Sequence, residues 1–96
     1  MRKVEKVSVV IATKDEEKNI GRLLESIKKQ TYCSWEIIVV DNSSSDGTVK
    51  LARKYTRAVY NCGPERSAQR NFGVDKSLGK YVLILDADME LSSRVG

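Results

Sequence analysis

The sequence predicts an α/β fold, with a mostly parallel sheet of about four strands flanked by helices. Three observations predict it. Short β-branched runs alternate with helical patterns along the whole chain, which is the signature of βαβ units. The fourth run is apolar throughout, as strands buried on both faces are. Polar clusters stand directly after three of the runs, where α/β sheets collect their ligands.

The elements follow in order. Residues 7–12 form a β-branched strand. Residues 16–30 form a helix, with Ile20, Leu23, Leu24 and Ile27 at i, i+3, i+4 and i+7 on one face. Asp15 is its expected N-cap, Glu16 and Glu17 suit the positive end of its dipole, and Lys28 and Lys29 suit the other. Residues 35–40 are the second strand, followed by the turn and capping run from Asp41 to Gly47. A shorter helix spans 48–55, and a weak strand spans 57–60. A third helix covers 67–77, with Ala68, Asn71, Phe72 and Asp75 on one side, and Gly79 stops it. Residues 81–85 are the fourth strand, so apolar that a central place in the sheet is expected. The stretch after Asp88 is polar and expected to fray. Right-handed crossovers make the whole a three-layer, Rossmann-like arrangement.

At 96 residues the chain fits one domain, residues 1–96, with one modest core. Hydrophobic residues are 41%, too many for a disordered chain. Lys and Arg number 17 against 13 Asp and Glu, a net +4 that suits an anionic small molecule. The cations are scattered, and one Phe, one Trp and four Tyr offer little for stacking, so nucleic acid is not an expected partner. With no His, a Ser/His/Asp triad is excluded and proton transfer would fall to carboxylates. Cys33 and Cys62 lack C-x-x-C spacing, which argues against zinc. They fit a reducing compartment, with a disulfide between them left open. No signal peptide or ~20-residue apolar span is present, so a cytoplasmic location is expected. Membrane association is left to a partner or to a segment outside the sequence. Neither G-x-G-x-x-G nor a P-loop occurs.

The polar clusters carry the chemistry. Asp86 and Asp88 flank one residue beyond the most apolar strand. Two hard carboxylates there suit Mg²⁺ or Mn²⁺, whose shell phosphate and water complete. The plainer alternative is a pair of solvated turn aspartates. Asp41 arrives at the sheet edge after a β-branched run and can accept from a ribose hydroxyl or a base N–H, or else cap its own turn. Asp46 reads as the cap of the next helix. Arg66 and Arg70 share a helix face at i, i+4 and suit diphosphate oxygens, or are simply solvated. Thr13 can meet a nucleotide base, Asp15 joins it among the donor-binding candidates, and Lys14 is a candidate surface charge. Asn71 and Gly73 permit close packing of their helix.

Taken together the motifs resemble a known family. The stretch from Val7 to Ile20 resembles the opening strand and helix of family 2 glycosyltransferases. Glu36 to Thr48 resembles their second-strand motif. Arg70-Asn-Phe-Gly73 followed by Gly79 to Asp88 resembles their third helix and D-x-D strand. The resemblance covers nearly the whole chain in order and spacing. It implies a GT-A fold and transfer of a sugar, mostly with inversion, from a nucleotide diphosphate-sugar such as a UDP- or GDP-sugar to an acceptor hydroxyl. It implies that Asp41 contacts the nucleotide, that Thr13 lies beside the base and that Arg66 or Arg70 lies near the donor. It implies that Asp86 and Asp88 hold ribose and the metal-bound diphosphate. The metal would neutralise the departing diphosphate, and an acid from the acceptor half would serve as general base. Because the family's domain continues past the D-x-D motif, an incomplete domain, the donor-binding half, is expected. A homodimer through an exposed sheet edge is a further expectation. Two other readings stand beside it. One is a non-catalytic nucleotide-binding scaffold. The other is a haloacid-dehalogenase-like phosphatase, which Leu85 to Leu91 resembles.

Overall fold

The computed structural model describes residues 6–30 and 34–87. Four strands, β1 (Lys6–Thr13), β2 (Ser34–Asp41), β3 (Val59–Asn61) and β4 (Tyr81–Asp86), alternate with α1 (Glu17–Lys28), α2 (Thr48–Ala52) and α3 (Arg66–Lys76). The sheet order is β3-β2-β1-β4 and every pairing is parallel, as the alternating pattern predicts. Helices α1 and α2 cover one face and α3 the other.

The α1 stripe behaves as its spacing requires. Ile20, Leu23, Leu24 and Ile27 are fully buried and pack on Val9, Ile11 and Val39. On the opposite face, α3 settles onto β1 and β2. Its buried residues are Gln69 and Gly73, not the expected side of Ala68, Asn71, Phe72 and Asp75. The close packing expected at Gly73 is real. A Cβ there would stand 2.3 Å from Cγ1 of fully buried Val10. That approach, rather than apolarity, selects the buried face.

Three further expectations need correction. Strand β4 lies at an edge of the described sheet, not at its centre. Its apolar residues Tyr81, Val82, Leu83 and Ile84 are 36–54% exposed. Apolarity signals that a strand needs cover; it does not say which neighbour supplies it. Asp15 does not cap α1. The N-cap is Glu16, and the first turn is closed by Asp46 of the loop before α2 and Thr48 at the start of α2, which accept from the Glu17 and Glu16 amides. Gly79 does not end α3, which stops at Lys76. A Cβ on Gly79 would meet the Ser8 amide nitrogen at 2.7 Å and the Lys6 carbonyl oxygen at 2.9 Å. The glycine is there because the chain passes against β1.

That passage is pinned by a polar junction. The buried Ser8 hydroxyl donates to Glu36 and accepts from the Gly79 amide, and Glu36 also accepts from the Leu78 amide. Burial pushes the Glu36 carboxyl up, but the Ser8 hydroxyl, the Leu78 amide and Lys6 outweigh it and hold it below its ordinary value of 4.5. A lowered folded pKa means that this stabilisation is present above the unfolded value and is lost as pH falls through the folded one. Glu36→Gln is therefore expected to lower the melting temperature at pH 7, with the gap to the parent closing below pH 4.5. A gap that is the same at both pH values would show that the charge contributes nothing.

Candidate functional site

Strand order places the site. From β1 the chain steps to β2 and β3 on one side, then returns to β4 on the other. The switch point therefore lies between the carboxyl ends of β1 and β4, where open α/β sheets bind ligands. Thr13 and Asp86 stand at those ends.

Asp41 and Asp86 share this rim but not a face. Thr13 is level with Asp41, and Ala12 is level with Asp86. Neighbouring residues of a strand point to opposite faces, so Asp41 lies on the α1/α2 side and Asp86 on the α3 side. The predicted residues thus form two groups meeting at one edge. Asp88 lies outside the described residues.

On the α3 side, Arg66 and Arg70 both reach Asp86 Oδ1, at 3.7 and 3.2 Å. The i, i+4 spacing presents both guanidiniums to one carboxylate oxygen. Among the described residues both arginines contact Asp86 through Oδ1, which leaves Oδ2 available. Arg70 Nε is buried without a hydrogen-bond partner, an unmet donor of a kind folded proteins seldom leave. The cluster carries two cations against one anion, half-exposed at the crevice.

On the other face, Asp41 is 2% exposed and fully engaged. Oδ1 accepts from the Thr13 and Ser44 hydroxyls, each at 2.6 Å, and Oδ2 accepts from the Ser44 amide at 2.8 Å. The carboxylate therefore builds its own turn, and the Thr13 hydroxyl is spent on it. The Thr13 carbonyl is used too, accepting from Gln69 Nε2 and the Asn42 amide. Asp41→Asn would put an amide donor among these donors. The expected cost is about 1–2 kcal/mol, visible in thermal unfolding without any ligand. An unchanged midpoint would mean that the turn does not depend on the charge.

The rim loops are laced together. Asp15 Oδ1 accepts from the Ser45 amide at 2.8 Å, and the Asp15 amide donates to Ser44 Oγ. The Ser43 amide donates to Asn61 Oδ1, and Asn42 Nδ2 donates to the Pro64 carbonyl. Lys14 Nζ reaches the Ser43 carbonyl, so it is more than a surface charge. Asp15 and Ser43 have φ of 52° and 47°, a left-handed conformation that is uncommon outside glycine and gathers at functional sites. Asp46 is structural, accepting from the Thr48 hydroxyl and amide at the start of α2, but the N-cap of that helix is Gly47 rather than Asp46. The hydroxyl bond, chiefly, holds its carboxyl below the ordinary value.

A hollow of about 180 Å³ opens beside this loop, lined by Asp41, Ser43, Ser44, Arg53, Tyr60 and Asn61 among others. That is below the roughly 300 Å³ at which small-molecule pockets begin, and it suits a ring rather than a whole nucleotide. Among the described residues, no cluster of three or more acids, cysteines or histidines is gathered to hold a metal. Sequence reasoning missed Gln69. It is 3% exposed, and its amide donates to the Thr13 and Val40 carbonyls, fixing the ends of two strands. The available signal was a long polar residue four positions before Gly73 on the same helix.

Residues 8–94 match the family described as glycosyl transferase family 2. The chain belongs to that family. Among relatives, it is 37% identical over 91 residues to the glycosyltransferase AglE of Haloferax volcanii, covering 85% of this chain and 30% of that protein. Two solved family folds superpose closely. Staphylococcus aureus TarS (1–349) in complex with UDP-GlcNAc gives a TM-score of 0.80 at 31% identity, over 92% of this chain and 28% of that one. The mannosyltransferase PcManGT of Pyrobaculum calidifontis, in complex with GDP-Man and Mn²⁺, gives 0.83 at 26%, over 96% and 30%. The chain thus spans about 30% of the length of these family members. Among the described residues no helix is long and apolar enough to cross a membrane.

Proposed function

We propose that this chain is the part of a family 2 glycosyltransferase that grips a nucleoside diphosphate-sugar, UDP- or GDP-linked, for inverting transfer to an acceptor hydroxyl. The observation that carries the reading is the Arg66–Arg70–Asp86 cluster at the switch point between β1 and β4. It has surplus positive charge and an unmet guanidinium donor. Guanidiniums bind phosphate oxygens through paired hydrogen bonds. Asp41, Thr13 and Asp15 hold the neighbouring loop in shape beside a ring-sized hollow, which suits a nucleotide base.

A divalent cation fits this donor set. Asp86 offers one open carboxylate oxygen, and Mg²⁺ or Mn²⁺ takes most of its remaining ligands from phosphate and water. Asp86 and Asp88 would hold it, and when bound it would offset charge on the diphosphate. The chain's own residues then orient the donor. Arg66 and Arg70 position phosphate oxygens, and the laced loops keep the rim rigid.

The test is thermal unfolding with UDP, GDP, CDP and TDP, each with Mn²⁺ or with EDTA. A nucleotide at about 100 times its dissociation constant should stabilise by about 2.7 kcal/mol. No shift with any of the four in Mn²⁺ would refute the reading. Binding without sugar transfer would favour the non-catalytic scaffold for this chain alone. The phosphatase reading gains nothing from the site, because the acid it would use as nucleophile is held by two arginines. A cytoplasmic location and self-association through the open β4 edge belong to the same proposal. A monomer in light scattering at high concentration would remove the latter.

A further inference from the structure

We propose that the end of the sheet opposite the rim is a docking surface for an anionic lipid membrane. In a parallel α/β layer, strand starts and helix ends share one end of the molecule. Here that end gathers Lys28 and Lys29 at the end of α1, Lys54 after α2, and Lys76 closing α3. Lys6, Arg57 and Lys80 stand at the starts of β1, β3 and β4, and all seven are exposed. Among the described residues the acids at this end are Glu25, Glu36 and Asp75. Glu25 is bonded to the Tyr55 hydroxyl, and Glu36 to Ser8 and the Leu78 amide. Helix dipoles account for a lysine at each helix end, but not for the cations at the strand starts.

A second observation is independent of charge. The turn between α3 and β4 displays Leu78 at 77% exposure and Tyr81 at 54%, flanked by Lys76 and Lys80. This turn is not loose. The Leu78 amide donates to Glu36 at 2.8 Å, the Gly79 amide to Ser8 Oγ at 2.8 Å, and the Lys80 amide to the Lys6 carbonyl at 2.9 Å. Three consecutive amides anchored to β1 and β2 hold the leucine outward. An apolar tip among lysines is the pattern of a surface that inserts shallowly into the headgroup boundary. Beside it, an open hollow of about 520 Å³ lies among Lys6, Trp35, Tyr55 and Arg57, with one acid, Glu36, on its lining, itself bonded to Ser8 and the Leu78 amide. It offers cations for a phosphate headgroup, and ring side chains of the kind that settle at lipid interfaces. Docking by this end leaves the rim facing the aqueous phase.

The experiment is cosedimentation of the full chain with vesicles of mixed phosphatidylglycerol and phosphatidylcholine, and with phosphatidylcholine alone. Binding is expected to the mixed vesicles only, and to weaken at high salt. Lys28→Glu and Lys54→Glu should each lower partitioning roughly 30-fold, and Leu78→Ser roughly tenfold. Lys18→Glu changes net charge equally at the opposite end of α1 and should have little effect. The proposal is overturned if mixed vesicles bind no better than neutral ones. It is equally overturned if Lys18→Glu weakens binding as much as Lys54→Glu, or if a single-stranded oligonucleotide is bound in place of the vesicles. Unfolding midpoints of each variant separate lost docking from lost folding.

Discussion

Asp86→Ala is expected to remove most of the stabilisation that a nucleoside diphosphate with Mn²⁺ confers, while leaving the unliganded chain folded. The two halves of this expectation have separate causes. Its ion pairs with Arg66 and Arg70 involve side chains 33–54% exposed, and such pairs contribute at most about 1 kcal/mol to folding. The ligand would lose an open carboxylate oxygen beside the phosphates and the charge that sets the arginines. A weakening of about 100-fold would cut the stabilisation at that nucleotide concentration from about 2.7 to about 0.4 kcal/mol. The measurement is the midpoint with and without nucleotide, for parent and variant. A ligand-induced shift that survives in Asp86→Ala would place the nucleotide elsewhere. Asp86 is a cleaner probe than Asp41, whose carboxylate also builds the turn around it.

The second large effect concerns folding. Gly79→Ala should destabilise by about 3 kcal/mol, a fall in melting temperature of roughly 12–24 °C for a domain of this size. The added Cβ would meet the Ser8 nitrogen and the Lys6 carbonyl oxygen, which belong to the backbone of a strand paired on both sides. A flexible side chain could swing away; these atoms cannot move without opening the sheet. The neighbouring Ser8–Glu36 junction would be disturbed as well. An unchanged midpoint would show that the turn stands off from β1.

Much of the architecture is legible in the residues themselves. The α1 stripe and the β-branched runs of β1 and β2 are strong periodic signals: the four α1 residues, Val9 to Ile11 and Ile38 to Val40 are buried as read, while Val7 and Ile37 at the strand starts are only partly so. The rim could be read too, since clusters after strands must gather at one edge of a parallel sheet. What stays hidden is what local pattern cannot encode. Glycine after a helix looks the same whether it ends the helix or makes room for a strand, and at residue 79 it does the latter. An acid in a serine-rich turn looks the same whether it waits for a ligand or caps its loop, and Asp41 caps. The pairing of Arg70 with Asp86 spans 16 residues. Spacing put both arginines on one face but did not name their partner. Strand β4 announced its wish for burial without telling which strands would lie beside it.

Placing the first strand in the middle has a consequence for synthesis. One flank of β1 is completed only by β4, with the tie between Ser8 and Gly79 closing a gap of 71 residues. A ribosome adding about 5–20 residues per second exposes that flank for roughly 4–14 s before its neighbour emerges. During that interval the nascent chain presents a β-branched ribbon to any passing strand, and chaperone capture should be strongest there.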